Sequence, residues 1–321
     1  MAQWQCILCF AVVAASVAAS LGAIIIRKNR RLPPRTDGTS SAAAPPSPWM
    51  SCWSRVRPAW LLAFRATAAA ALAAVLAWDL RAYDPSIMMY YTEWTLLLEI
   101  AYFVVAALCS AYGCLKMYAG SRADDDDPES NTISSRLLCR RRSGGDAPVI
   151  NPISGDAWAG ADDGGRLGLV MRVGYQVTAG AVVLTDVVFW GVIVPFMSSS
   201  AAHFSLNAVM CCIHSLNLVF LLTETTLNTL AFPWIGMAYF VLWTCLYVIV
   251  QWIAHVCGLA WWPYPFLSLT ASMAPLWYLA MALLHLPCYL VYWLIVRAKN
   301  YVVARSTGKL QTCSDSSRST V

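Results

Sequence analysis

Seven separate stretches of this chain stay apolar for about twenty residues or more, and nothing else in the sequence constrains the fold as strongly. A bilayer interior has no water to satisfy backbone N–H and C=O groups, so such a stretch crosses as a helix, which satisfies its own. The stretches run over 5–26, 59–79, 89–115, 169–197, 205–228, 233–254 and 272–296. Pro233 divides the fifth from the sixth, and WWPYPF at 261–266 divides the sixth from the seventh. Tyr90, Tyr91 and Trp94 gather at one span end, Trp252, Trp261, Trp262 and Tyr264 at others, where amphipathic rings prefer to lie. Composition agrees: the chain is 59% hydrophobic and 12% charged, whereas a soluble domain is roughly 45–50% apolar and about 25% charged. The expected fold is all-α, a polytopic transmembrane bundle of about seven helices.

Charge placement orients that bundle. The first apolar run is preceded by MAQWQ, with no Lys or Arg, and followed by RKNRRLPPR, which reads as an uncleaved anchor with its N-terminus outside. The connections 27–58, 116–168 and 229–232 and the tail 297–321 then face the cytosol, and they hold 19 of the 22 Lys and Arg residues. Arg65 and Arg172 lie in spans near their cytosolic ends, and only Arg81 is outside. Lys and Arg bias of this kind fixes N-out, C-in. The chain divides into an anchor at 1–26, a cytosolic linker at 27–58, a membrane core at 59–297 and a tail at 298–321. Linker composition at 35–50, and the mixed charge clusters DDDD and RRR within 119–166, predict disorder there.

The twelve cysteines, scattered mostly through apolar runs, show neither paired CxxC clusters nor a CxxC with HxxxH, so no zinc site or disulfide framework is indicated. No cofactor and no nucleic acid is expected as a partner. Membrane lipid is.

Polar residues inside the spans carry the functional question. Each is costly at membrane depth and faces the bundle interior. In the fifth span Asn207, His214, Asn217, Glu224 and Asn228 share one helix face; in the third, Thr92, Thr95, Glu99 and Tyr102 form another stripe. Sorted by depth they form two layers. An inner layer pairs Glu224 with Arg65 or Arg172. An outer layer gathers Thr92, Thr95, Asp186 and His214. A hydroxyl becomes a nucleophile when a neutral imidazole takes its proton, and a buried carboxylate orients that imidazole. Thr92, His214 and Asp186 are the candidate set for cutting a lipid ester within the bilayer. Spacing alone leaves open the other account, in which these residues bridge helices. Counted from the helix starts, Thr92 lies about 5 Å deep and His214 about 13 Å.

YYTEWTLLLEIAYF at 90–103 and HSLNLVFLLTE at 214–224 resemble the androgen-induced and rolling stone group of multi-pass membrane proteins. The similarity spans about residues 59–297, which implies a six-helix core with the first helix added outside it. In the androgen-induced branch the resemblance implies an intramembrane hydrolase of fatty acid esters of hydroxy fatty acids. Its threonine then matches Thr92 and its histidine His214, with Glu224 ten residues on. The likeness to the rolling stone branch, in YYTxW and HSLN, is as close; it implies a non-enzymatic protein of adhesion, cell fusion or signalling. A seven-helix receptor has the same topology, but no DRY-like triplet ends the third span and no NPxxY ends the seventh.

Overall fold

The computed structural model describes residues 3–30, 47–125, 165–195 and 206–318. Among them are seven helices: α1 (Gln3–Asn29), α2 (Pro58–Ala82), α3 (Tyr91–Asp125), α4 (Gly165–Val188), α5 (Ala208–Leu227), α6 (Gly236–Val256) and α7 (Ala274–Arg318). All seven are long and apolar enough to cross a membrane. The chain is a multi-pass integral membrane protein. The expected disorder of 35–50 and 119–166 lies almost wholly outside the described residues.

The bundle is organised around α4. Some 72% of its most apolar membrane-length window is buried, against 17–44% for the other six helices. Helix α4 packs on α3, α5, α6 and α7, with α2 against α3 and α5, and α1 against α6 and α7. Close approach needs small residues. A Cβ built on Gly180 of α4 would stand 2.5 Å from Cδ1 of Phe240 on α6, so only glycine admits that ring. The chain reverses at each crossing, so α1, α3, α5 and α7 begin at one end of the bundle, called here the Tyr91 end. The opposite, Arg65 end carries the start of α2 and the finish of α5.

Two irregular features shape these ends. Toward the Tyr91 end α4 runs into a π-helical turn, Phe189–Ile193, which carries Phe189 and Trp190. At the Arg65 end residues 47–57, within the connection 27–58, are packed down rather than free. Trp49 is buried in a slot kept open by Gly113, whose Cβ would meet its ring. Ser51 and Cys52 take up the end of α5: Ser51 Oγ donates to Leu227 O at 2.8 Å, and Cys52 N to the same oxygen at 2.9 Å.

Candidate functional site

At the Arg65 end an ion pair is closed off from solvent. Arg65 of α2 donates through Nε and Nη2 to the two oxygens of Glu224 on α5, at 3.1 and 2.6 Å, and both side chains are 0% exposed. Each partner's remaining valences are met. Arg65 Nη1 reaches Ser110 Oγ at 2.6 Å and the carbonyls of Ala106 and Pro48 at 3.3 Å. Glu224 also accepts from Tyr102 Oη at 3.0 Å and Asn228 Nδ2 at 3.4 Å. A buried charge pair persists only when matched this completely. Arg65 is thus the arginine brought onto Glu224, while Arg172 lies part-buried on α4.

Toward the Tyr91 end, Asp186 of α4 meets two residues of α5. His214 Nδ1 lies 3.3 Å from Asp186 Oδ1, and Asn217 Nδ2 donates to the same oxygen at 3.2 Å. The imidazole is stacked on Phe189, centroids 3.6 Å apart, and Trp190 Nε1 donates to the His214 carbonyl at 3.3 Å. The carboxylate–imidazole half of the expected set is therefore assembled.

Thr92 is elsewhere. With Tyr91 it lines a largely apolar cavity enclosed by α1, α3, α4, α6 and α7 and by the 264–267 segment. The Tyr264 phenol in this lining accepts from the Tyr91 N–H at 3.1 Å, and burial holds it protonated, above its usual range. Phe189 forms part of the same cavity lining while stacking on His214, and neither His214 nor Asp186 reaches the lining. The phenyl ring thus partitions Thr92 from His214. Thr95 lies beside this region, 3.1 Å from Thr185, and bridges α3 to α4.

The cavity has its own imidazole. His285 of α7 is 4% exposed. Its Nε2 lies 3.0 Å from Thr244 Oγ1 of α6, its Nδ1 2.8 Å from Met281 O, and Tyr91 Oη is 2.9 Å from the same threonine oxygen. Sequence reasoning missed this pair. Thr244 and His285 lie on different helices, each alone among apolar neighbours, so neither formed a stripe. The one available signal was the cost of a histidine inside the seventh span.

The cavity has a volume of about 100 Å³, where one water needs about 10–15 Å³. Several linked methylenes fit. Among the described residues no group of three or more His, Cys, Asp or Glu is arranged to hold a metal ion.

Compared with family models, curated proteins and solved structures, the chain matches none of them.

Proposed function

We propose that this protein takes the acyl chain of a fatty acid ester into the cavity at the Tyr91 end and hydrolyses the ester there. One observation carries the reading: hydroxyl groups and an imidazole stand on the lining of an otherwise apolar chamber among membrane helices. Apolar lining with few convergent polar groups suits a lipid tail with one reactive function. The likeness to the androgen-induced branch supports the same class of substrate, and under it Thr92 supplies the hydroxyl. That likeness also assigns His214, and here the geometry gives no support, since Phe189 intervenes.

That separation favours a second reading, a non-enzymatic protein of adhesion, fusion or signalling whose cavity holds lipid without cutting it. The two divide on turnover. The purified chain, reconstituted in phosphatidylcholine vesicles, is given a fatty acid ester of a hydroxy fatty acid, and free fatty acid is followed by mass spectrometry. Release above protein-free vesicles supports the hydrolase; bound ester without release supports the second reading.

A further inference from the structure

The geometry points to Thr244 as the nucleophile and His285 as the general base of the cavity. The inference rests on the hydrolase reading above and deepens it by naming the reacting pair.

The hydrogen-bond pattern fixes the tautomer. Met281 O can only accept, so His285 Nδ1 at 2.8 Å carries the ring proton. A neutral imidazole then presents a bare lone pair at Nε2, and Thr244 Oγ1 at 3.0 Å donates to it in preference to the Phe240 carbonyl at 3.4 Å. Once that hydroxyl proton is committed, Tyr91 Oη at 2.9 Å is left to donate to Thr244 Oγ1. The order runs Tyr91 to Thr244 to His285 to the Met281 carbonyl. It is a nucleophile, a base aligned on it, and a group orienting the base. The carbonyl does the orienting that a carboxylate does elsewhere. It lies four residues before His285 on the same helix, so α7 sets the ring angle by its own geometry.

His214 is the poorer base for this cavity. Its Nδ1 is engaged by Asp186, and Phe189 covers one ring face. Thr92 shares the lining with Thr244, but it is Thr244 that lies within hydrogen-bond reach of the cavity's imidazole, at 3.0 Å.

The steps balance. Thr244 Oγ1 attacks the acyl carbonyl carbon as its proton passes to His285 Nε2. The ester C–O bond breaks, and the departing alkoxide takes that proton back to leave as an alcohol. A water molecule then attacks the Thr244-bound acyl carbon, giving a proton to Nε2. The bond from carbon to Oγ1 breaks, Thr244 regains its proton, and the fatty acid is released. The net change is ester plus water to acid plus alcohol. Tyr91 Oη, already directed at Oγ1, is the nearest donor for the negative charge that develops beside it.

The test uses the full chain in vesicles with two probes, an alkyl fluorophosphonate and 4-methylumbelliferyl palmitate. Fluoride leaves phosphorus as Oγ1 bonds to it, so mass spectrometry of the labelled wild-type protein reads the nucleophile directly. The adduct is expected on Thr244. With the palmitate ester, Thr244→Val lowers kcat by at least about 100-fold and Thr244→Ser restores it to within about tenfold. His285→Gln, which keeps a hydrogen-bonding side chain but no base, lowers kcat about 100- to 10,000-fold with KM little changed. An adduct on Thr92, with Thr244→Val at the wild-type rate, overturns the assignment and leaves the hydrolase reading standing. Absence of both adduct and turnover in the wild type overturns both. Because the adduct is mapped on unmutated protein, a variant that fails to fold does not protect the proposal.

Discussion

Phe189 stacks on His214 with ring planes 7° from parallel, and the same phenyl ring lines the cavity that Thr92 faces. One side chain therefore decides whether the histidine of the fifth span and the threonine of the third share a chamber. Replacing it with alanine removes the partition at the usual cost of a large-to-small change, about 3–5 kcal/mol. In Phe189→Ala, His214 is expected to react with diethylpyrocarbonate severalfold faster than in the wild type, as read by peptide mapping. Unchanged reactivity would show that other side chains shield the ring.

The Arg65–Glu224 pair predicts an asymmetry between single and double substitutions. In Glu224→Leu the guanidinium remains buried with one of its main partners gone, which costs about 3–5 kcal/mol. Arg65→Met with Glu224→Leu removes both charges, and apolar replacement of a buried pair is often neutral or better. The thermal midpoint in detergent should fall clearly in the single variant and recover most of the loss in the double one. Arg65→Lys should not substitute, because one ammonium cannot reproduce the two-pronged contact with Glu224 while also reaching Ser110. A double variant as unstable as the single would mean the site's cost lies in shape, not charge.

How far the sequence revealed this arrangement depends on the kind of signal. The seven helices were legible because bilayer thickness dictates their length, and each lies within a few residues of the expected span apart from the end of α4, which gives way to the π-turn after Val188, and the ends of α3 and α7, which run on to Asp125 and Arg318. That Glu224 pairs with Arg65 or Arg172 was legible because a charge at that depth must find its opposite and few candidates exist, but the choice of Arg65 came only from the docking of α2 on α5. Asp186 beside His214 follows from the same rule. The Phe189 partition was not legible: an aromatic ring in an apolar span gives no sign of which interface it enters, and the π-turn that carries it has no sequence mark. The pairing of Thr244 with His285 depends on how α6 and α7 dock, which helix periodicity does not encode. Packing of residues 47–57 was hidden by a Pro- and Ser-rich composition, although Trp49 and Cys52 are buried.

Gly180 tests the contact that holds α4 to α6. A valine there would drive its side chain into the Phe240 ring, since even the first added carbon falls 2.5 Å from Cδ1. Phe240 in turn lies 4.5 Å, centroid to centroid, from His285. Overpacking of this kind costs about 1–3 kcal/mol, and displacement of the ring moves the imidazole it touches. Gly180→Val is expected to lower thermal stability and cut ester turnover together, while Gly180→Ala does so less. Loss of stability with unaltered turnover would separate the α4–α6 contact from the His285 environment.

Two cysteines at opposite ends test the orientation. Cys257, just past α6 at the Tyr91 end, is exposed, whereas Cys52 is buried near the Arg65 end. Burial also raises the Cys52 thiol above its ordinary range, the nearby Lys299 opposing only in part. Less of it is thiolate at neutral pH, and thiolate is the reactive form. With the N-terminus outside, the Tyr91 end faces away from the cytosol. A membrane-impermeant maleimide added to intact cells should then label Cys257, and Cys257→Ser should abolish most of that signal. Cys52 should react only after permeabilisation, and then slowly, gaining rate as pH rises. A glycosylation acceptor inserted within 126–164 should stay unmodified for the same reason. Labelling of Cys257 only after permeabilisation, together with glycosylation of the inserted acceptor, would reverse the orientation and place the cavity toward the cytosolic leaflet.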